Sequence, residues 1–224
     1  MSITHIQSST LDFLKAIQKN NNREWFNNNK ALYITAHADV KAFAGALEVL
    51  MNQHDEIEKM KVYRIYRDVR FSKDKTPYKS SLSGFMSRAT KWRRGGYYFH
   101  FEPGNSFMGA GFWKPNSSDL ARIRREIAAY PDELRGILAE KNFKKYFGKL
   151  EGDQLKTAPR GYAKDHEAIE LLRYKSFLVH HKFTDTEILE PRFLDKINEA
   201  YKAIRPFFNY MSEVLTTDEN GTPI

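Results

Sequence analysis

Tyr97-Tyr98-Phe99-His100-Phe101-Glu102 places Tyr97, Phe99 and Phe101 at one alternation and Tyr98, His100 and Glu102 at the other. Strand side chains point to opposite faces with a period of two, so this run predicts a strand over 97–102 with one apolar face. Pro103-Gly104-Asn105 follows, three residues that favour tight turns, and leads into a second extended run over 107–113. Together they predict a β-hairpin, which commits the chain to an antiparallel sheet. A sheet with one apolar face must bury it against helices or a second sheet.

The rest of the sequence supplies helices. Leu11, Leu14 and Ile17 recur at helical spacing behind Ser8-Ser9-Thr10, and Asn20-Asn21-Asn22 ends that helix. A second helical stretch runs over 23–51, with a break expected near 27–29. Ser117-Ser118-Asp119 opens a helix to about Tyr130, and Pro131 suits the first turn of the next, which extends to Phe147. A short helix is expected over 165–173. A long one is expected from Pro191 to about Leu215, where Leu194, Ile197, Tyr201, Ile204, Phe208 and Met211 keep three- and four-residue spacing. Further strands are predicted near 62–71, 78–86 and 176–183. The fold class is therefore α+β: one compact domain over 1–215, a mainly antiparallel sheet covered by N-terminal, central and C-terminal helices, and a frayed tail over 216–224.

Composition narrows the function classes. Of 224 residues, 41% are hydrophobic and 14% aromatic, enough for a core without staples. With no cysteine, disulfides, thiolate metal sites and catalytic thiols are excluded. The polar amino terminus, Met1 to Thr10, lacks the basic flank and apolar run of a signal peptide, and no apolar stretch reaches the roughly 20 residues that span a bilayer. The expected location is the cytoplasm, with no membrane partner.

The net charge of +8 is local. From Lys59 to Arg94 twelve Lys or Arg face two acids, Asp68 and Asp74, which gives +10 and leaves −2 for everything else. Over 62–71 the alternation puts Tyr63, Ile65, Val69 and Phe71 on one face with Arg67, and Arg64, Tyr66, Asp68 and Arg70 on the other. With Lys73, Lys75 and Lys79 in the following loop, and Tyr66 and Tyr78 as hydroxyl donors, these side chains form a candidate anion site. Arg forks would hold a phosphate, sulfate or carboxylate, and Asp68 would orient a neighbouring fork. A second basic group, Arg88, Lys91, Trp92, Arg93 and Arg94, interleaves a ring with cations as a nucleic-acid contact would.

Candidates for proton transfer are Asp68, Tyr66 and His100, with Glu102 on the strand face of His100. A metal site from His100, Glu102 and His180 or His181 is disfavoured, because adjacent histidines on a strand point to opposite faces. Phosphate-loop, dinucleotide, zinc-protease and nucleophile-elbow motifs are all absent, so no cofactor and no metal is assigned. Gly109-Ala110-Gly111 reads as close backbone packing or a bulge.

Several segments match a known family in order: Asn21-Asn22-Arg23-Glu24-Trp25-Phe26, then Arg64 to Lys79 with its Arg-Asp-x-Arg-Phe-Ser-x-Asp-Lys-Thr-Pro-Tyr-Lys block. Gly96-Tyr97-Tyr98, Gly109 to Pro115, Ile123-Arg124, Lys156 to Tyr162 and Leu171 to Lys175 follow. From Leu11 to about Phe208 the chain resembles the bacterial and fungal family known as domain of unknown function 2461 (DUF2461). The resemblance implies one α+β domain and no particular reaction. It adds Lys156, Arg160 and Lys175 as a second candidate lining, and Ala110 stands where a third glycine is expected. Three functional readings stay open: a binding or catalytic pocket for a phosphorylated or anionic small molecule, a nucleic-acid-associated protein using 59–94, and a scaffold whose Arg and Asp side chains form a structural ion network.

Overall fold

The structure is a computed structural model that describes residues 4–218 and 220–224; Met1–Ile3 of the polar amino terminus and Glu219 of the expected tail lie outside the described residues. Five strands form one antiparallel sheet in the order β1-β2-β3-β4-β5, with β1 Ile57–Val62, β2 Leu82–Arg88, β3 Gly96–Phe101, β4 Ser106–Phe112 and β5 Phe177–Phe183. Helices α1 Ser8–Lys19, α2 Arg23–Asn28 and α3 Lys30–Met51 precede it. α4 Ser117–Ala129, α5 Pro131–Ala139, α6 Lys141–Phe147 and α7 Ile169–Leu172 lie between β4 and β5, and α8 Asp185–Ile188, α9 Phe193–Ala203 and α10 Arg205–Thr216 close the chain. The α+β class and the hairpin over 97–113 are as the sequence predicts.

The chain divides into two compact units. The first comprises Met1–Met86, Tyr98–Met108 and Lys182–Glu199; the second comprises Ser87–Tyr97, Gly109–His181 and Ala200–Ile224. In the first, Leu11, Leu14 and Ile17 of α1 and Val40, Phe43 and Leu47 of α3 are buried, and Phe43 meets Phe101 and Phe193 at 5.5 Å between ring centroids. In the second, Tyr97 packs edge-on against Tyr201 and Phe208 at 4.9 and 5.0 Å. Each fully buried ring of this kind contributes roughly 1.5–3 kcal/mol.

Several boundaries depart from the sequence reading: the helix expected from Pro131 to Phe147 is two, α5 and α6, parted at the extended backbone of Glu140, and the helix expected over 165–173 covers Ile169–Leu172 alone. The strand expected over 62–71 lies at Ile57–Val62, where lysines and a glutamate mark an edge strand instead of an apolar face. Residues 63–81 then leave the ladder as an arm. Ile65 is fully buried but Phe71 is 97% exposed, so 63–71 has no continuous apolar face and Arg67 does not lie on one. The second strand starts at Leu82 and not 78, because Tyr78 is engaged in the arm. The long C-terminal helix is two helices, divided at Ile204; Pro206 sits in the first turn of α10, where its missing N–H costs nothing. α8, which the sequence reading did not include, carries a capping box between Thr184 and Glu187. The tail expected to fray turns back, with Thr217 bridged to Pro223 and the Ile224 N–H donating to the Thr216 carbonyl at 3.0 Å.

Gly111 explains the glycine run before Trp113. Its φ is +135°, and a Cβ there would sit 2.1 Å from the Phe177 carbonyl oxygen of β5. Gly136, within α5, meets nothing within 4 Å. Gly111→Ala is expected to destabilise the protein by more than about 1 kcal/mol, whereas Gly136→Ala should stabilise it by about 0.5–1 kcal/mol. Thermal melts of the two variants check this; a Gly111→Ala protein as stable as the parent would remove the close approach.

Candidate functional site

The arm over 63–81 is held at its base by the helices. The Asn21 side-chain amide donates to the Tyr78 carbonyl at 2.9 Å and accepts from the Tyr78 N–H at 3.1 Å, reproducing with one side chain the pairing of a β-bridge. Phe26 stacks on the Tyr78 ring at 3.9 Å, and Tyr33 and Tyr66 complete an aromatic cluster around Phe26. His37 packs against Tyr33 at 5.4 Å between ring centres. Asn22 caps α2 by accepting from the Trp25 N–H at 2.9 Å, so the Asn-Asn pair both starts a helix and grips the arm.

Within the arm the two sides pair. Tyr66 bridges Tyr78, the Arg67 N–H donates to the Pro77 carbonyl at 2.9 Å, and the Lys79 N–H donates to the Ile65 carbonyl at 2.8 Å. Arg67 donates to Asp74 and to the Thr76 hydroxyl. The Asp74 carboxyl is held down at about 2, foremost by the Thr76 N–H and then by Arg67. Arg70 forms a bidentate pair with Asp68, at 2.9 and 2.7 Å. Lys75 Nζ donates to the Val69 carbonyl at 3.0 Å. Of the predicted anion ligands in the first unit, then, Arg67, Arg70 and Lys75 are engaged inside the arm with Asp68 as a partner, while Arg64 and Lys73 are exposed. Tyr66 is half-exposed and Tyr78 buried.

Lys79 differs from its neighbours. It is half-buried, and desolvation lowers its pKa. Its ammonium donates to the Arg64 carbonyl at 3.4 Å and lies 5.6 Å from the Tyr63 ring centre, and no described carboxylate pairs with it. Its charge acts on His100.

His100 lies in a row of polar side chains on the face of β3 opposite Phe99 and Phe101. Its Nε2 is 3.2 Å from Glu102 Oε2, and its Nδ1 is 3.2 Å from the Tyr98 hydroxyl. A carboxylate only accepts, so Nε2–H donates to Glu102 and Nδ1 accepts from Tyr98 in the neutral imidazole. The Ser80 hydroxyl donates to the other oxygen of Glu102, Asn105 donates to Oε2 at 3.0 Å, and Ser83 hydrogen-bonds Tyr98. Phe107 stacks on the imidazole at 4.8 Å. Burial lowers the His100 pKa, more than Glu102 raises it. Burial pushes Glu102 up, but the bonds from Ser80, Asn105 and His100 together hold its carboxyl below the usual range. Burial also raises the Tyr98 phenol. The row is thus a neutral imidazole joined to an ionised carboxylate and a protonated phenol.

Lys156, Arg160 and Lys175 are exposed and belong to the second unit. So does the second basic group, where Arg88 is buried and donates to the Arg94 carbonyl at 2.8 Å and to the Ser212 hydroxyl at 3.1 Å, and Arg94 pairs with Asp119. His180 is bonded to Glu151 at 2.9 Å and His181 to the Tyr146 carbonyl at 2.8 Å, and no group of His, Asp and Glu able to hold a metal occurs among the described residues. A cleft of about 580 Å³ in the second unit, lined by residues of α4, α5 and α10, contains none of the side chains predicted from sequence. No described helix is long and apolar enough to cross a membrane.

Sequence reasoning missed Ser80, Ser83, Tyr98 and Asn21. The alternation placed Tyr98 beside His100, and Asn21 stands in a matched block; nothing in the sequence pairs Ser80 with Glu102. A family profile described as "Conserved hypothetical protein (DUF2461)" matches residues 9–210. The chain belongs to this family. No curated protein and no solved structure matches it. The segment Arg67 to Lys79 lies within the arm, and its Arg-Asp pairs fasten one loop.

Asp74→Ala should free Arg67 and the Thr76 N–H while leaving the helices intact. Amide exchange at Arg67 and Thr76 is expected to accelerate with little change in Tm; unchanged exchange at both would mean that Asp74 does not hold the arm.

Proposed function

We propose that the polar face of β3, with Lys79 beside it, is a binding or catalytic site for a phosphorylated or otherwise anionic small molecule. The observation that carries this reading is Lys79, a half-buried ammonium with a carbonyl and a ring for company and, among the described residues, no carboxylate paired with it. A desolvated charge is costly without a counter-ion, and a bound oxyanion would supply one. Arg64 and Lys73, exposed on the arm, add to the local positive potential. His100 is the proton-handling group. Neutral near pH 7, it can accept the Tyr98 hydroxyl proton at Nδ1 while Tyr98 takes one from a bound hydroxyl or water, with Glu102 fixing its tautomer through Nε2–H.

For Arg67, Arg70, Asp68 and Lys75 a second reading is favoured by specific bonds: they act as a structural network that fixes the arm. Both readings hold together, since a fixed arm fixes Lys79.

Thermal melts with inorganic phosphate, sulfate, sugar phosphates and a short single-stranded nucleic acid, at two salt concentrations, test the proposal. A phosphorylated small molecule is expected to raise the Tm of the parent and of Arg70→Ala, but not of Lys79→Met, which keeps the aliphatic stem. Loss of the shift in Arg70→Ala but not in Lys79→Met would move the site to the arm. No shift from any small anion, or a shift from nucleic acid alone that collapses with salt, would overturn it.

A further inference from the structure

Strand register extends the polar face of β3 onto its neighbours. The Tyr63 N–H donates to the Ser83 carbonyl at 2.8 Å, and a Cβ on Gly84 would lie 3.0 Å from the Lys61 carbonyl oxygen, which sets Lys61 of β1 across from Phe85 of β2. The same Cβ would lie 2.3 Å from the Phe99 ring, so Gly84 faces the core side with Phe99. Side chains alternate along a strand, and residues opposed across a ladder share a face. Lys61 and Phe85 therefore stand on the other face, that of Tyr98 and His100. Phe99 is fully buried, whereas Phe85, on an inner strand of the same sheet, is 36% exposed.

A second observation concerns charge. The Tyr63 ring has Lys61 Nζ at 5.3 Å and Lys79 Nζ at 5.6 Å from its centre. Two ammoniums thus share one ring, and among the described residues neither is paired with a carboxylate. Like charges so placed repel each other, and a ring face is a weaker counterpart than an oxyanion. Glu102, the acid of this face, is bonded instead to Ser80, His100 and Asn105. A phosphate between the two ammoniums would balance both. Side chains opposed across a ladder are about 5 Å apart at Cβ, so Phe85 stands beside that position.

We propose that the anionic ligand of this site is a nucleotide, its phosphate held between Lys61 and Lys79 and its base stacked on Phe85. The inference rests on the reading of Lys79 given above and adds to it a second cation and a ring. A flat heterocycle covers an exposed aromatic side chain without needing a polar partner there, and stacking of this kind tolerates any base. Phosphate alone, or a sugar phosphate, would leave Phe85 in water. The phosphate thus supplies the charge balance and the base supplies the preference for one ester over another.

The test is calorimetry on the full chain. Adenosine 5′-monophosphate and cytidine 5′-monophosphate are expected to bind at least about tenfold more tightly than ribose 5-phosphate, the same ester without the base. Adenosine, which lacks the phosphate, should bind more weakly than either nucleotide. Phe85→Leu keeps an apolar side chain and removes the ring; it should bring both nucleotides to within about threefold of ribose 5-phosphate, whose own binding stays as in the parent. Lys61→Met should weaken all three esters about tenfold and keep the parent Tm. Ribose 5-phosphate binding as tightly as the nucleotides, or a Phe85→Leu protein with the parent's preference, overturns the inference and leaves the reading of Lys79 standing; so does a Lys61→Met protein that binds all three like the parent. Nucleotides that bind Lys79→Met like the parent overturn both. If no phosphate ester binds at millimolar concentration, the reading of Lys79 fails and the nucleotide assignment falls with it.

Discussion

One side-chain amide, that of Asn21, anchors the arm on which the candidate site depends. A segment of nineteen residues between two neighbouring strands would ordinarily be a mobile loop. Here its return limb is gripped by Asn21 through both backbone groups of Tyr78 and by Phe26 through the ring, while Ile65 on the outgoing limb is fully buried. These contacts satisfy the backbone of a segment that has left the sheet, which a buried peptide group requires. Lys79 and Ser80 come directly after the gripped residue, so their positions beside His100 and Glu102 follow from the same anchor.

The arm also shows why charged motifs are ambiguous. Arg67, Arg70 and Lys75 look like anion ligands in the sequence, yet each finds an acceptor within ten residues of chain. Exposed pairs of this type contribute little to global stability, about 0–1 kcal/mol, but they select one loop shape out of many. Lys79 is the contrast, since partial burial has removed water from its ammonium without supplying a carboxylate.

Much of the fold was legible in the sequence because period and turn chemistry are local signals. The alternation at 97–102 correctly separated Tyr97, Phe99 and Phe101 from Tyr98, His100 and Glu102, and Pro131 marked a helix start. The first strand was misplaced because an edge strand such as Ile57–Val62 carries lysines where a central strand carries apolar residues. The long final helix hid its division because the apolar spacing runs through Ile204, and only Pro206 betrays the break. Of the site, His100 and Glu102 were legible as same-face neighbours. The Ser80–Glu102 bond and the unmatched charge of Lys79 were not, because they arise from tertiary contacts that carry no sequence period.

The most direct test is an NMR titration of the His100 ring with and without saturating phosphate, repeated in Lys79→Met. Free, His100 should titrate below the usual histidine value of about 6.5, since burial, and to a lesser degree Lys79, disfavour its charged form. A bound anion should raise that value, because it stabilises the imidazolium and offsets Lys79. In Lys79→Met the free value should already be higher and phosphate should no longer move it. A His100 pKa in the parent that is the same with and without phosphate would contradict the account.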